Sequence, residues 1–356
     1  MIDWKLAGRV AGSVSGEAAG AAFGAGADLQ PLAEDAQRRI VEYTALVPTR
    51  PLPPPELVSR RGWIEANIAT MRPVFDELDE RLHSKSKLGG ALGKAGQGVS
   101  GAILGAQLGA LMGYLSQRVL GQYDMPLLDP DGSPRLLLVV PNLVATAQRL
   151  EADRDELLRW VTLHEVTHAI QFGSVPWLRR YLADGLRELL AALELRVAGA
   201  GAGAIRVPSA SDLRELVASV RSGELVTFVI GRDRRAVVDR LQGVMAVIEG
   251  HAEHVMDAVG ASLIAGLPQL RAALEDRRNA RPTPLRLLEK LLGIELKLRQ
   301  YREGKRFCDG VVERGGIETL DRVWSSERAL PTRAELLDPA RWIARTGATA
   351  VAGGRR

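Results

Sequence analysis

The chain has 356 residues, enough for about two domains, and its 46% hydrophobic and 25% charged residues exclude global disorder. Its net charge of +4 comes from 47 basic and 43 acidic residues that are interspersed, without the basic patch or stripe of a nucleic-acid binder. The single cysteine, Cys308, excludes an internal disulfide and a cysteine metal cluster, and points to a reducing, cytoplasmic setting.

The first segment, MIDWKLAGRVAGSVSGEAAGAAFGAGA, has the small residues of a secretory leader. Asp3 and Glu17 interrupt it, so it lacks a leader's apolar core. Gly8, Gly12, Gly16, Gly20 and Gly24 recur at every fourth position, and Gly101, Gly105, Gly109 and Gly113 repeat the pattern. Such spacing places each set on one face of a helix. Glycine inside a helix costs about 1 kcal/mol relative to alanine, and close backbone approach is what would offset that. The two glycine faces are therefore expected to pack on each other. The charge-free run Gly98–Ser116 has Gly or Ala at eight of its 19 positions and Gln107 in the middle, too weakly apolar for a stable membrane span.

Pro48–Pro55 (PTRPLPPP) reads as a stiff linker. A helix is predicted over Leu57–Leu82, from the helical spacing of Trp63, Ile64, Ile68, Met71 and Phe75, and a flexible loop over Ser84–Gly98. Met125–Leu128, the turn residues Asp129-Pro130-Asp131-Gly132, and Arg135–Val140 read as a β-hairpin. The strand Arg135–Val140 could offer its edge to an extended peptide. Nearly everything after it reads helical: Asp153–Phe172, Pro176–Val197, Ser211–Arg221, Arg235–Val259, Leu285–Arg302 and Ile317–Trp324, with Ala198–Ala204 (AGAGAGA) as a breaker. The expected fold is α+β and predominantly helical, with a small sheet or hairpin. Its divisions are an N-terminal helical region over 1–120 with glycine-rich packing helices, a catalytic domain over 121–330, and a C-terminal tail over 331–356.

The predicted helix Asp153–Phe172 carries His164-Glu165-Val166-Thr167-His168, an HExxH motif in a chain with five histidines. Residues four apart share a helix face, so both imidazoles can reach one zinc ion. Glu165 projects from the neighbouring edge of that face, where it can act as general base on a zinc-bound water. The flanks Leu157, Leu158, Val161, Leu163, Ala169, Ile170 and Phe172 are those of a buried helix. A catalytic zinc site takes three protein ligands. The local form HExxHxxGxxH is excluded, because Gln171 and Ser174 stand where its glycine and third histidine would be.

The third ligand is sought in Ile248–His254 (IEGHAEH). Glu249 and Glu253 share a face, which suits Glu249 as ligand and Glu253 as the carboxylate orienting a ligating imidazole. His254, about 140° around the helix from Glu249, is the alternative ligand. His251, about 200° away, is expected at the surface. Asp184 and Glu188 are next in line should this helix supply none. Tyr301, Arg299 and His254 are candidate oxyanion donors.

Beyond single residues, Arg61-Gly62-Trp63 with Asn67, RVLGQYD (118–124), LLLVVPNLV (136–144), LHEVTHAIQF (163–172) with VPWL (175–178), IEGHAEHVMD (248–257) and KLRQYREGKRF (297–307) resemble a bacterial family of zincin-like metallopeptidases. That family carries an association with coenzyme F-420 biosynthesis, which implies no activity on that cofactor. The resemblance implies zinc held by His164 and His168 beside Glu165, and supports Glu249 as the helix-borne third ligand. The expected activity is zinc-dependent hydrolysis of a peptide or protein substrate. The competing reading is a catalytically silent zincin-fold scaffold that binds a partner.

Overall fold

The computed structural model describes residues 2–16, 28–85, 91–129, 132–199, 235–279 and 294–347. Contacts divide the described chain into two compact units, one within Met1–Ala36, Leu52–Ala169 and Glu194–Ala204, the other within Gln37–Pro51, Ile170–Leu193 and Ile205–Arg356. These limits follow packing rather than chain order, so they cut across the sequence-based divisions at 120 and 330.

In the first unit, α1 (Trp4–Ser15) begins where the Asp3 carboxylate accepts the Leu6 amide at 2.8 Å, and it ends at Gly16 with φ 67°. It lies parallel to the helix Ala91–Ser116, called α4 below, with Asp3, Ala7 and Ala11 meeting Gly105, Gly109 and Gly113 in turn. A Cβ on Gly105 would stand 2.5 Å from the Asp3 carbonyl oxygen, and one on Gly113 would stand 2.6 Å from that of Ala11. The expected packing of the glycine helices is thus present, but only α4 supplies the glycine groove. Gly12 has nothing within 4 Å, and Gly8 only the Ile68 Cδ1 at 3.9 Å, so α1 contributes alanines and backbone instead. Gly20 and Gly24 lie outside the described residues. Gly12→Ala should therefore stabilise the protein by up to about 1 kcal/mol, whereas Gly105→Ala should cost about 1–3 kcal/mol. Urea unfolding of both variants checks this, and equal midpoints would contradict it.

After α2 (Gln30–Thr44), the proline-rich run ends in a strand, β1 (Pro55–Val58), and not in the predicted helix start at Leu57. Proline is tolerated as the first residue of an edge strand because its missing N–H breaks no ladder there. The helix α3 starts at Arg60 and runs to Lys85, and α4 starts at Ala91, so most of the predicted loop Ser84–Gly98 is helical apart from residues 86–90, which lie outside the described residues.

The hairpin is real, but its first strand is β2 (Gly121–Asp124), ahead of the expected Met125–Leu128. Pro126 lacks the N–H that a strand at 125–128 would need, which accounts for the shift. The second strand is β3 (Arg135–Val139), with order β1-β3-β2, parallel to β1 and antiparallel to β2. Leu136, Leu137, Leu138 and Val139 are fully buried, as suits a central strand covered on both faces. Both edges of β3 are paired, so it has none to offer a peptide. Trp63, Ile64, Ala66, Met112, Leu137 and Val139 form the core around it. The Trp63 indole donates to the Gln122 side-chain oxygen at 2.6 Å, tying α3 to β2.

The helices α5 (Val140–Leu150), α6 (Arg154–Ser174) and α7 (Pro176–Gly199) follow. α6 contributes to both units, through Ala169 to the first and from Ile170 to the second. In the second unit, α8 (Arg235–Gly260) and α10 (Ile294–Gly315) meet backbone to backbone at Gly250 and Gly304, with α9 (Leu267–Asn279) between them in sequence. The predicted helix Ser211–Arg221 and most of 198–204 lie outside the described residues. Cys308 on α10 is fully buried, and burial pushes its thiol far above the ordinary range.

The sequence-based tail is partly structured. After α11 (Ile317–Leu320) come α12 (Arg333–Leu336) and α13 (Pro339–Arg345). Thr332 and Glu335 cap α12 reciprocally, and the Trp342 indole is fully buried, edge-on to Phe307 at 5.4 Å, with its N–H donating to the Ala329 carbonyl at 2.7 Å. That aromatic anchor holds the segment down.

Candidate metal centre

α6 opens on Asp153, whose carboxylate accepts the Asp155 and Glu156 amides at 2.9 Å each. Leu157, Leu158, Val161, Leu163, Val166, Ala169 and Ile170 are all buried, so the helix is covered nearly all round. His164 Nε2 and His168 Nε2 stand 3.1 Å apart, with the rings edge to face at 4.6 Å. Two imidazole nitrogens sharing a tetrahedral zinc at about 2.0–2.1 Å each would stand about 3.3 Å apart. The pair is thus already spaced for one ion. Trp160, one turn earlier, lies parallel to the His164 ring at 5.9 Å between centroids.

Glu165 is 6% exposed, and its Oε2 accepts the Tyr123 backbone N–H at 2.7 Å. One turn beyond His168, Gln171 is fully buried. Its side-chain amide donates to the Ile248 carbonyl at 2.9 Å and meets His251 Nδ1 at 3.0 Å. These contacts hold α6 on α8 at the residue before Glu249. His164, His168 and Glu249 are a group that could hold a metal ion, with ligand atoms that all lie within 4.8 Å of one another. Two imidazoles and a carboxylate are the donor set of a catalytic zinc site, so these residues fit the ion.

His251 is not at the surface: it is fully buried. With the Gln171 amide donating to Nδ1, its own proton sits on Nε2, which faces Asp321 Oδ1 at 3.3 Å, and Trp324 packs edge-on to the ring. Helix phase was a poor guide because α8 is covered on that face too. The apolar Val247, Ile248 and Val255, three and four residues from His251, are the signal that could have shown it. Burial raises the Asp321 carboxyl above its usual range, partly offset by His251. His251→Ala should cost about 1–3 kcal/mol by leaving buried partners unpaired. A thermal melt equal to wild type would contradict that.

His254 has both ring nitrogens engaged elsewhere, Nδ1 with Asp309 at 2.8 Å and Nε2 with the Tyr43 hydroxyl at 2.8 Å. Burial pushes the Asp309 carboxyl up, but hydrogen bonds from His254 and Lys305 outweigh it and hold it below the usual range. Burial, reinforced by Asp321 and Asp309, raises the Tyr43 phenol. Glu253 is half-buried one turn beyond Glu249. Asp184 is exposed and pairs with Arg187, and Glu188 pairs with Arg240. The side chains of Tyr301 and Arg299 lie outside the described residues. Tyr43, Asp309 and Asp321 come from segments without a motif, and no sequence signal singled them out; Tyr123 and Gln171 lie in RVLGQYD and LHEVTHAIQF, but nothing in those stretches gave either a role.

A family profile described as zincin-like metallopeptidase matches residues 2–343. The chain belongs to the zincin-like metallopeptidase family. Among solved structures, this zincin-like chain is similar to a candidate hydrolase with a novel fold from Chloroflexus aurantiacus, at 30% identity and a TM-score of 0.70, covering 98% of this chain and 99% of that one. No curated protein matches it. The family and the neighbour support a metallohydrolase with a divalent metal, typically zinc; neither speaks to coenzyme F-420. Among the described residues, no helix is long and apolar enough to cross a membrane.

Proposed function

We propose that this zincin-like protein is a zinc-dependent peptidase in which His164, His168 and Glu249 hold the ion and Glu165 is the general base. The observation that carries the reading is that the three ligand atoms lie within 4.8 Å of one another, two of them on the helix that also presents Glu165 and the third on α8. When bound, zinc supplies a Lewis acid for a carbonyl oxygen and lowers the pKa of water. Glu165 takes the proton from the attacking water and delivers it to the leaving amine. Its carboxylate is buried and hydrogen-bonded to main chain, so its position is held rather than sampled. Glu253, sharing the Glu249 face, orients a ligating imidazole.

The test is Glu165→Gln. It should keep its zinc and lose hydrolysis of a mixed peptide library by about 10²–10⁴-fold, the usual worth of general acid–base catalysis. Undiminished hydrolysis would reject Glu165 as base. Zinc binding without any wild-type hydrolysis would favour a silent scaffold.

A further inference from the structure

We infer that the backbone of β2 is the positioning element for Glu165: the Tyr123 N–H fixes the carboxylate, and the missing side chain of Gly121 lets α6 approach close enough for that bond to form. This rests on the proposed role of Glu165 as base, and it names what holds that base in place.

Two independent observations meet here. The Tyr123 amide donates to Glu165 Oε2 at 2.7 Å, the short length of a charge-assisted bond. That N–H is directed at α6, so the outer side of β2 faces the HExxH helix while its other side pairs with β3. Two residues earlier, Gly121 lies over the same face. A Cβ there would stand 2.7 Å from Val161 Cγ1, 2.8 Å from Glu165 Cγ and 2.9 Å from Glu165 Oε1. Val161 and Glu165 are four apart and share a helix face. Any side chain at 121 would therefore push on the base and on the turn before it. Gly121 has no positive φ, so the backbone itself does not demand glycine. The requirement is the close approach to α6.

The dyad also explains why Glu165 can be buried next to two imidazoles without drifting toward them. A fixed main-chain donor costs no side-chain entropy and does not reorganise when substrate arrives. Gly121 touches no substrate; it acts through Glu165.

The experiment combines a spectroscopic and a kinetic readout on the zinc-loaded protein. Selective ¹⁵N-tyrosine labelling gives five amide resonances, one per tyrosine, and Tyr123→Phe identifies that of Tyr123 by its loss. Glu165→Gln should move the Tyr123 amide proton upfield, because a charged acceptor becomes neutral. Gly121→Ala should move it in the same direction with zinc retained. It should also lower kcat by about 10–100-fold with KM little changed, the scale of a misplaced catalytic group. Added to Glu165→Gln, it should cost nothing more. A Tyr123 resonance insensitive to Glu165→Gln would overturn the proposal, even if Gly121→Ala did not fold. So would equal losses from Gly121→Ala with and without Glu165. If the wild type hydrolyses nothing, the peptidase reading fails, and the amide shift still decides the positioning.

Discussion

Purified protein should carry about one zinc per chain, and His168→Ala should be recovered essentially without it. A catalytic site has three protein ligands, so deleting one removes about a third of the donor set and also the preorganisation of the rest. His164→Ala and Glu249→Ala should behave alike, since the ligand atoms of all three lie within 4.8 Å of one another. Glu253→Ala should retain metal with affinity reduced about 10–100-fold, as losses of an orienting carboxylate do. His254→Ala should keep its metal and lose stability instead, because it abandons Tyr43 and Asp309. Elemental analysis of the five variants after dialysis against one zinc concentration separates these outcomes. Full zinc in the His164→Ala/His168→Ala double variant would remove the basis of the metal centre.

Gly304→Ala should be the most damaging single-methyl substitution among the described glycines. A Cβ at 304 would collide with the Ala246 carbonyl oxygen, and one at Gly250 would collide with the Gly304 carbonyl carbon. Both obstacles are backbone, so no rotamer change relieves them, and α8 and α10 would have to separate. The cost should reach or exceed the upper end of the usual overpacking range of about 1–3 kcal/mol. That is a large fraction of a typical total stability of about 5–15 kcal/mol. Gly243, on the same helix as Gly250, provides the control: its Cβ would meet only the Pro331 carbonyl at 3.9 Å. Gly243→Ala should be harmless or stabilising. Similar denaturation midpoints for Gly304→Ala and Gly243→Ala would refute the crossing.

The metal helix was legible in the sequence because a two-imidazole face needs only local spacing, and the same is true of the α8 helix that carries Glu249. Packing of the glycine helices could be foreseen as a fact but not in detail. A four-residue repeat identifies a face without saying which partner is the groove, and Gly12 turns out to face open space. The sheet was half visible. β3 has an apolar run, whereas β1 hides in a proline-rich stretch whose strand character comes only from pairing with β3. Least legible were the polar partnerships. Gln171 with His251 and Asp321, and Tyr43 with His254 and Asp309, join residues separated by tens to hundreds of positions; apolar neighbours can signal burial, as around His251, but nothing local names the partner.

The buried Cys308 makes the molecule its own unfolding reporter. Its thiol is sealed beside Phe307, one helical turn from the Gly304 crossing, and it is the chain's single cysteine. Only the thiolate reacts with an alkylating reagent, and burial suppresses that form in the native state. The rate at which iodoacetamide consumes the thiol therefore reports how readily this helix pair opens, without an introduced label or dye. Any substitution that loosens the crossing should be visible as faster alkylation well before it shows in a melting curve.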